Sequence, residues 1–202
     1  MTTIIVATKN AHKVREMNEL LADLGSIKLI TMSEAGLDSE IEENGKTFEE
    51  NAIIKASFVA KETGHPSIAD DSGLSVDVLG GEPGIYSARY ASKDGGNATD
   101  DENIDLLLEN MKNISGNERT ARFVSALALC FPDGRTYTAI GACEGLITRE
   151  RRGEGGFGYD PVFFCNALSK TFGEASADEK NSVSHRNRAM MILREKMRDI
   201  EF

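Results

Sequence analysis

Cysteine, proline, positive charge and long apolar runs are all in short supply in this chain of 202 residues, and each shortage removes a class of protein. The three cysteines, Cys130, Cys143 and Cys165, are odd in number, widely spaced and set in apolar runs, the pattern of reduced core thiols rather than of a disulfide framework or a zinc centre. With only four prolines, 40% hydrophobic and 28% charged residues, the composition is that of a folded chain and not of a disordered one. Lysine and arginine number 23 against 33 aspartates and glutamates, a net charge of −10. No diffuse positive field is therefore available to hold a nucleic-acid backbone or an anionic membrane, and any polyanion must be small and met by local donors. The opening MTTIIVATKN has a four-residue apolar run, too short for a signal peptide or an anchor, and no later run approaches membrane length. The expectation is a cytoplasmic protein that contacts neither nucleic acid nor membrane.

What is present is a regular alternation of strand and helix signals. TTIIVAT (2–8) reads as a short buried strand, followed by a helix with Val14, Met17, Leu20, Leu21 and Leu24 at three- and four-residue spacing, stopped by Gly25. KLITM (28–32) is a second strand. Thr47 and Glu50 form a capping-box pattern that opens a helix over 47–63, closed by Gly64. SIAD (67–70), a polar turn and LSVDVL (74–79) follow, ended by GGEPG, and Thr99 with Glu102 repeats the capping device ahead of Ile104, Leu107, Leu108 and Met111. Residues 119–131 and 136–148 flank PDGR and predict a long antiparallel hairpin. A glycine cluster and a short strand occupy 151–165, and a last helix runs from about Ser184 with Ala189, Ile192, Leu193 and Ile200 inward. The fold class is α/β with a mixed sheet, in a single domain over 1–202, because one core suffices at this length and no linker interrupts it.

Four constellations can carry chemistry. Thr8-Lys9-Asn10-Ala11-His12-Lys13 lies where a strand gives way to a helix, so backbone N–H groups and side-chain donors converge there as for a phosphate. Simple capping by Thr8 or Asn10 with solvated lysines accounts equally for the pattern. Asp70 and Asp71 are adjacent like charges, which need a cation or a donor once water is withdrawn. In extended backbone they point to opposite faces, so one is a functional candidate and the other a brace, against the plainer reading of an Asx turn before Gly73. Glu42 and Glu43 form an acidic stretch; one carboxylate from there and one from the Asp pair make the sparse oxygen site that Mg²⁺ favours, solvated loop residues being the alternative. Finally, Phe157-Gly158-Tyr159-Asp160, preceded by Gly155 and Gly156, combines close backbone approach with an aromatic face that can stack on a base. Lys180 and Ser184-His185-Arg186 add cationic and neutral donors.

Together these stretches resemble the inosine/xanthosine triphosphate pyrophosphatase family, which removes deaminated purine nucleotides. The motifs that carry the resemblance are TxNxxK at 8–13, ENAIIKA at 50–56, IADDSGLSVDVLGGEPGIYSARY at 68–90, RTARF at 119–123, GGFGYDPVFF at 155–164 and DEKNSVSHR at 178–186, in order and nearly end to end. The resemblance implies an elongated two-lobed fold around a long mixed β-sheet with flanking helices and a cleft between lobes, Mg²⁺ as cofactor, and a homodimer. It implies hydrolysis of ITP, dITP and XTP to the monophosphate and pyrophosphate. Carried onto matching positions, Thr8, Asn10 and Lys13 hold phosphates, Lys55 and Lys180 face phosphate, and Ser72 touches substrate. Glu42 and Asp71 bind the metal, Asp71 doubles as general base, and Phe157, Gly158, Tyr159, Asp160, His185 and Arg186 form the base pocket. Lys9 and His12 stand where many relatives have smaller residues; both are peripheral, with Lys9 kept as a phosphate-binding candidate. Asp70 supports the turn or an outer shell. The rival readings are a pyrophosphatase for another modified nucleoside triphosphate and a silent nucleotide-binding regulator, the second disfavoured because Asp71, Glu42 and the lysines occur together.

Overall fold

The structure, a computed structural model, describes residues 2–21, 27–93, 95–198 and 200. Leu24 and Gly25, expected to close the first helix, lie outside the described residues. Seven strands form one mixed sheet: β1 (Thr2–Val6), β2 (Ile27–Thr31), β3 (Ser67–Val76), β4 (Thr120–Cys130), β5 (Thr136–Ile147), β6 (Phe163–Cys165) and β7 (Lys170–Thr171), in the order β2-β1-β3-β4-β5-β6-β7. Among the described residues, α-helices α1 (Ala11–Leu21), α2 (Phe48–Thr63), α3 (Asp100–Asn110), α4 (Ala177–Val183) and α5 (His185–Met197) accompany them. The described residues fall into two compact units, one built from 1–71, 125–141 and 186–202, the other from 72–124 and 142–185. Strands β3, β4 and β5 contribute residues to both.

In the first unit β1 pairs in parallel with β2 and with β3. The chain moves one way across the sheet from β1 to β2 and the other way from β2 to β3, so right-handed crossovers put the two connecting helices on opposite faces. The side chains bear this out with strict period-two alternation. Ile4, Val6, Ile68, Leu127 and Leu129 pack with Met17 and Leu21 of α1 and with Ala189, Met190 and Leu193 of α5. Ile5, Ala69, Ala126, Ala128 and Cys130 face Ala52, Ala56, Val59 and Ala60 of α2. The second face is a seam of methyl groups on both sides, which lets the α2 backbone lie close to the strands.

The helix signals of α2 and α3 are realised, except that the Glu50 carboxylate of the first accepts from the Lys46 N–H. Thr47 accepts from the Glu50 N–H, Thr99 and Glu102 complete a reciprocal box, and Gly64 closes α2 at φ 69°. The expected hairpin is present: Phe131 N–H donates to Arg135 O and Ile147 N–H to Arg119 O, which set β4 and β5 antiparallel.

Three expectations need correcting. No turn interrupts 70–73, because β3 runs unbroken from Ser67 to Val76. Gly73 serves close approach instead: a Cβ there would lie 2.3 Å from Ser87 Oγ and 2.6 Å from Gly84 O. The strand reading of 74–79 stops at Val76, where Asp77–Leu79 form a 3₁₀ turn closed by Gly80. Ile192 faces solvent, 42% exposed, because the inward stripe of α5 runs through Arg186, Ala189, Met190 and Leu193. The short α4, with a Ser176–Glu179 capping box, is an addition to the expected helices.

The second unit has its own core, in which Ile104 and Leu107 of α3 and Met111, just past its end, join Leu74, Val76, Phe123, Phe163 and Phe172. All three cysteines are buried thiols; Cys143 and Cys165 belong to this core, with their sulfurs 3.6 Å apart.

The methyl seam generates a prediction. Ala128→Leu should destabilise the protein by about 1–3 kcal/mol through overpacking, read as a lower urea midpoint at unchanged m-value.

Candidate active site

The strand β3 answers the question of the paired aspartates by sending them to different faces. Asp70 shares the face of Ile68, under α1 and α5, while Asp71 shares the face of Ala69, under α2. Each then meets cations from the helix that covers it.

On the α1 side, the chain leaves β1 and caps the helix with its own side chains. Thr8 Oγ1 accepts from the Asn10 N–H, and Asn10 Oδ1 accepts from the N–H groups of His12 (2.9 Å) and Lys13 (3.2 Å). Both Thr8 and Asn10 thus perform the capping half of the sequence expectation. Lys9 and His12 are exposed, with Lys9 Nζ on Asp38 O. One turn into α1, Lys13 Nζ lies 3.0 Å from Asp70 Oδ2.

Asp70 itself has no solvent exposure. Its Oδ2 is shared between Lys13 and Arg186 Nη2, each at 3.0 Å, and its Oδ1 accepts from Ser125 Oγ at 2.6 Å. Arg186, 1% exposed, also pairs with Glu16 of α1. Burial, the largest influence, pushes the Asp70 carboxyl up. Arg186, Lys13 and the Ser125 hydroxyl together reverse it and hold the group well below the usual aspartate value.

On the α2 side, Asp71 Oδ1 meets Lys55 Nζ at 3.0 Å and Asp71 Oδ2 accepts from Asn51 Nδ2 at 3.2 Å. Lys55 Nζ also touches Glu43 Oε1 at 3.0 Å and the Asp70 carbonyl at 3.1 Å. Burial raises the Asp71 carboxyl, and the negative charge of Glu43 adds to this, against the opposing pull of Lys55 and Lys13. The Lys55 ammonium loses solvation by burial, yet Asp71 and Glu43 more than restore it, so its proton is held more tightly than usual. A carboxylate with raised proton affinity beside two exchangeable cations is the equipment of a general base.

Among the described residues no cluster of three or more His, Cys, Asp or Glu side chains forms a ready-made metal cage. The residue expected to join Asp71 was Glu42, but it lies exposed; burial alternates along 41–45, and Glu43 is the one turned toward Lys55. The donor chemistry still suits a hard divalent cation. Oxygens of Asp71, Glu43 and the Asp70 carbonyl converge on one positive charge at 3.0–3.1 Å, a sparse all-oxygen set of the kind Mg²⁺ completes with water and phosphate.

The second unit assembles the remaining expected residues. Asp160 Oδ2 accepts from the Phe157 N–H at 2.9 Å and from Lys180 Nζ at 2.6 Å. Gly156, at φ 79°, leaves room for that carboxylate, since a Cβ would fall 2.0 Å from Asp160 Oδ2. Lys180, buried on α4, stands 4.5 Å from the centre of the Phe157 ring and 5.6 Å from that of Phe172. His185 stacks on Phe123, 4.9 Å between ring centres. Gly158 N–H donates to Asp100 Oδ2, and Tyr159 is a core residue whose hydroxyl donates to Ser87 O. Burial pushes the Tyr159 phenol up, so it stays protonated. Of the aromatic pair, therefore, only Phe157 is part-exposed. Ser72 follows Asp71 on β3, half-buried.

Arg186, expected in the base pocket, pairs its guanidinium with Asp70 and Glu16 of the first unit. Sequence reasoning also passed over Asn51, Ser125 and Glu16. A signal existed for two of them: Asn51 and Glu16 sit at buried helix positions, where a polar residue needs a partner.

With this geometry in hand, comparison with known proteins gives consistent results. The sequence model of the Ham1 family matches residues 4–196. A dITP/XTP pyrophosphatase of Thermus thermophilus is 50% identical over 97% of this chain and 92% of its own length. One of Escherichia coli O157:H7 is 48% identical over 98% of this chain and all of its own. Among solved structures, a HAM1 protein from Coxiella burnetii superposes with a TM-score of 0.89 at 42% identity, covering 99% of this chain and 100% of that one.

The Asp70 cluster generates a second prediction. Asp70→Asn removes the carboxylate that Lys13 and Arg186 share, leaving Arg186 with Glu16 alone, and should cost about 3–5 kcal/mol. Because the folded-state value of Asp70 lies below its unfolded one, its contribution is present above the usual aspartate value of 3.8 and fades as pH falls below it. Denaturant titrations at several pH values should show wild-type stability falling with acid and that part of the slope missing from the variant.

Proposed function

The chain belongs to the Ham1 family, and from that premise we propose that it hydrolyses the non-standard purine nucleotides dITP, XTP and ITP to the monophosphate and pyrophosphate, clearing them from the nucleotide pool. The name dITP/XTP pyrophosphatase, borne by close relatives, supports the substrate class. The observation that carries the chemistry is the gathering of Lys13, Lys55, Asp70 and Asp71 around one short run of β3.

The reaction adds water across the bond between the α- and β-phosphates. Asp71 accepts the proton of the attacking water, for which its raised proton affinity suits it. Lys13 and Lys55 hold phosphate oxygens. Each already rests on a carboxylate, so a phosphate replaces one anion by another and no lysine is taken out of water alone. Asp71, with the Glu42–Glu43 pair, holds Mg²⁺ in this reading. When bound, the cation neutralises charge on the phosphates, the larger part of what phosphoryl transfer asks of a protein.

Base selection falls to the second unit. Phe157 offers a ring face, and Lys180 and His185 can offer donors. A donor pairs with the 6-keto oxygen of hypoxanthine or xanthine, which accepts from it, but opposes the 6-amino group of adenine, a mismatch of the kind that discriminates strongly. The reading takes the enzyme to act as a homodimer in the cytoplasm, with which three buried, unbridged cysteines agree.

The direct test incubates the protein with dITP, XTP, ITP, GTP, ATP and dUTP plus Mg²⁺ and resolves the products. Pyrophosphate from the first three is expected; orthophosphate as the first product would refute the bond assignment. Chelation should abolish turnover while circular dichroism stays unchanged. Asp71→Asn should fold and bind nucleotide yet lose about 10²–10⁴-fold in kcat, the usual contribution of a general base, and a fully active variant would remove Asp71 from that role.

A further inference from the structure

We propose that Asn51 is a positioning residue for the reaction, a clamp that fixes the orientation of the Asp71 carboxylate and ties the acidic 42–45 loop to it. The proposal rests on the reading of Asp71 as the base and extends it to a residue whose side chain meets Asp71 and Gly45.

Asn51 is fully buried in the second turn of α2, a poor place for an amide, since helix interiors disfavour Asn and buried amides must be satisfied. It is satisfied from two sides. Its Oδ1 accepts from the Gly45 N–H at 2.8 Å, and its Nδ2 donates to Asp71 Oδ2 at 3.2 Å. The backbone N–H of Gly45 can only donate, so it must face the amide oxygen, and the amide nitrogen is thereby turned to Asp71. The orientation is not free to reverse.

A second observation points the same way. Residue 45 lies so close to the amide that a Cβ would stand 2.6 Å from Asn51 Oδ1 and 2.8 Å from Glu50 Cβ. Only glycine seats the loop at this distance. The loop carrying Glu43 is therefore held to α2 through the group that orients Asp71. Of the two donors on Asp71, Lys55 is the one expected to turn to phosphate, and Asn51 remains to keep the carboxylate plane fixed when it does.

Asn51→Asp separates positioning from loop support. An aspartate keeps an acceptor for Gly45 N–H but faces Asp71 with an oxygen in place of a donor. The expected result is a kcat for dITP about 10–100-fold lower, the range seen when such orienting partners are removed, with KM changed less than threefold. Hydrogen exchange at the Gly45 amide should stay slow in Asn51→Asp and become fast in Asn51→Leu. Gly45→Ala, which leaves Asn51 in place and drives a methyl against its oxygen, should lower kcat as well, and covers the case in which Asn51→Asp does not fold. Wild-type kcat in a folded Asn51→Asp enzyme or in Gly45→Ala overturns the proposal, as does fast Gly45 exchange in the wild type. If the wild type turns over no nucleoside triphosphate, the functional reading fails instead, and the exchange ranking still decides whether Asn51 holds the loop.

Discussion

A carboxylate with no access to water, held by two cations and a hydroxyl, is the constraint around which the first unit is organised. Asp70 joins the Lys13 end of α1, Arg186 at the start of α5 and Ser125 of β4 at one point on β3. None of these groups tolerates burial alone, since an ion out of water costs several kcal/mol until it is matched. The network therefore specifies which residues of α1, α5 and β4 stand opposite one another, beyond what interchangeable aliphatic contacts would specify. It also leaves the neighbouring Asp71, on the other face, to a smaller and more exchangeable set of partners. One aspartate is locked, and the next keeps partners that can be exchanged.

Local chemistry was well written in the sequence. Thr47 with Glu50, Thr99 with Glu102 and the αL glycine at 64 are caps whose partners lie within four residues, and alternation in RTARFVSALALCF reads directly as a strand with two different faces. The opposite orientation of Asp70 and Asp71 followed from strand geometry alone. The turn expected at 70–73 failed because glycine was taken for a bend when its purpose was to admit Ser87, thirteen positions further along from Leu74, whose N–H that hydroxyl receives.

What could not be read was pairing across long separations. Arg186 and Glu16 are 170 positions apart, and nothing local in SHR distinguishes an arginine facing a ligand from one that neutralises the core. Glu42 and Glu43 differ only in which side of an irregular segment they occupy, so only the fold could select Glu43 for Lys55. Tyr159 likewise had the motif position of a base-pocket residue and the surroundings of a core one. Motifs name the residues that matter more readily than they name the contacts those residues make.

The methyl seam beneath α2 bears on how such a protein can diverge. Ala52, Ala56 and Ala60 leave no slack between helix and strands, so larger side chains there would push the helix carrying Asn51 and Lys55 away from Ala126 and Ala128. The solvent face of α5 is under no such constraint, since Met191 and Ile192 stand exposed there. Beneath α2, drift is confined to the smallest side chains, and the chemistry inherits its tolerance from the least conspicuous residues in the molecule.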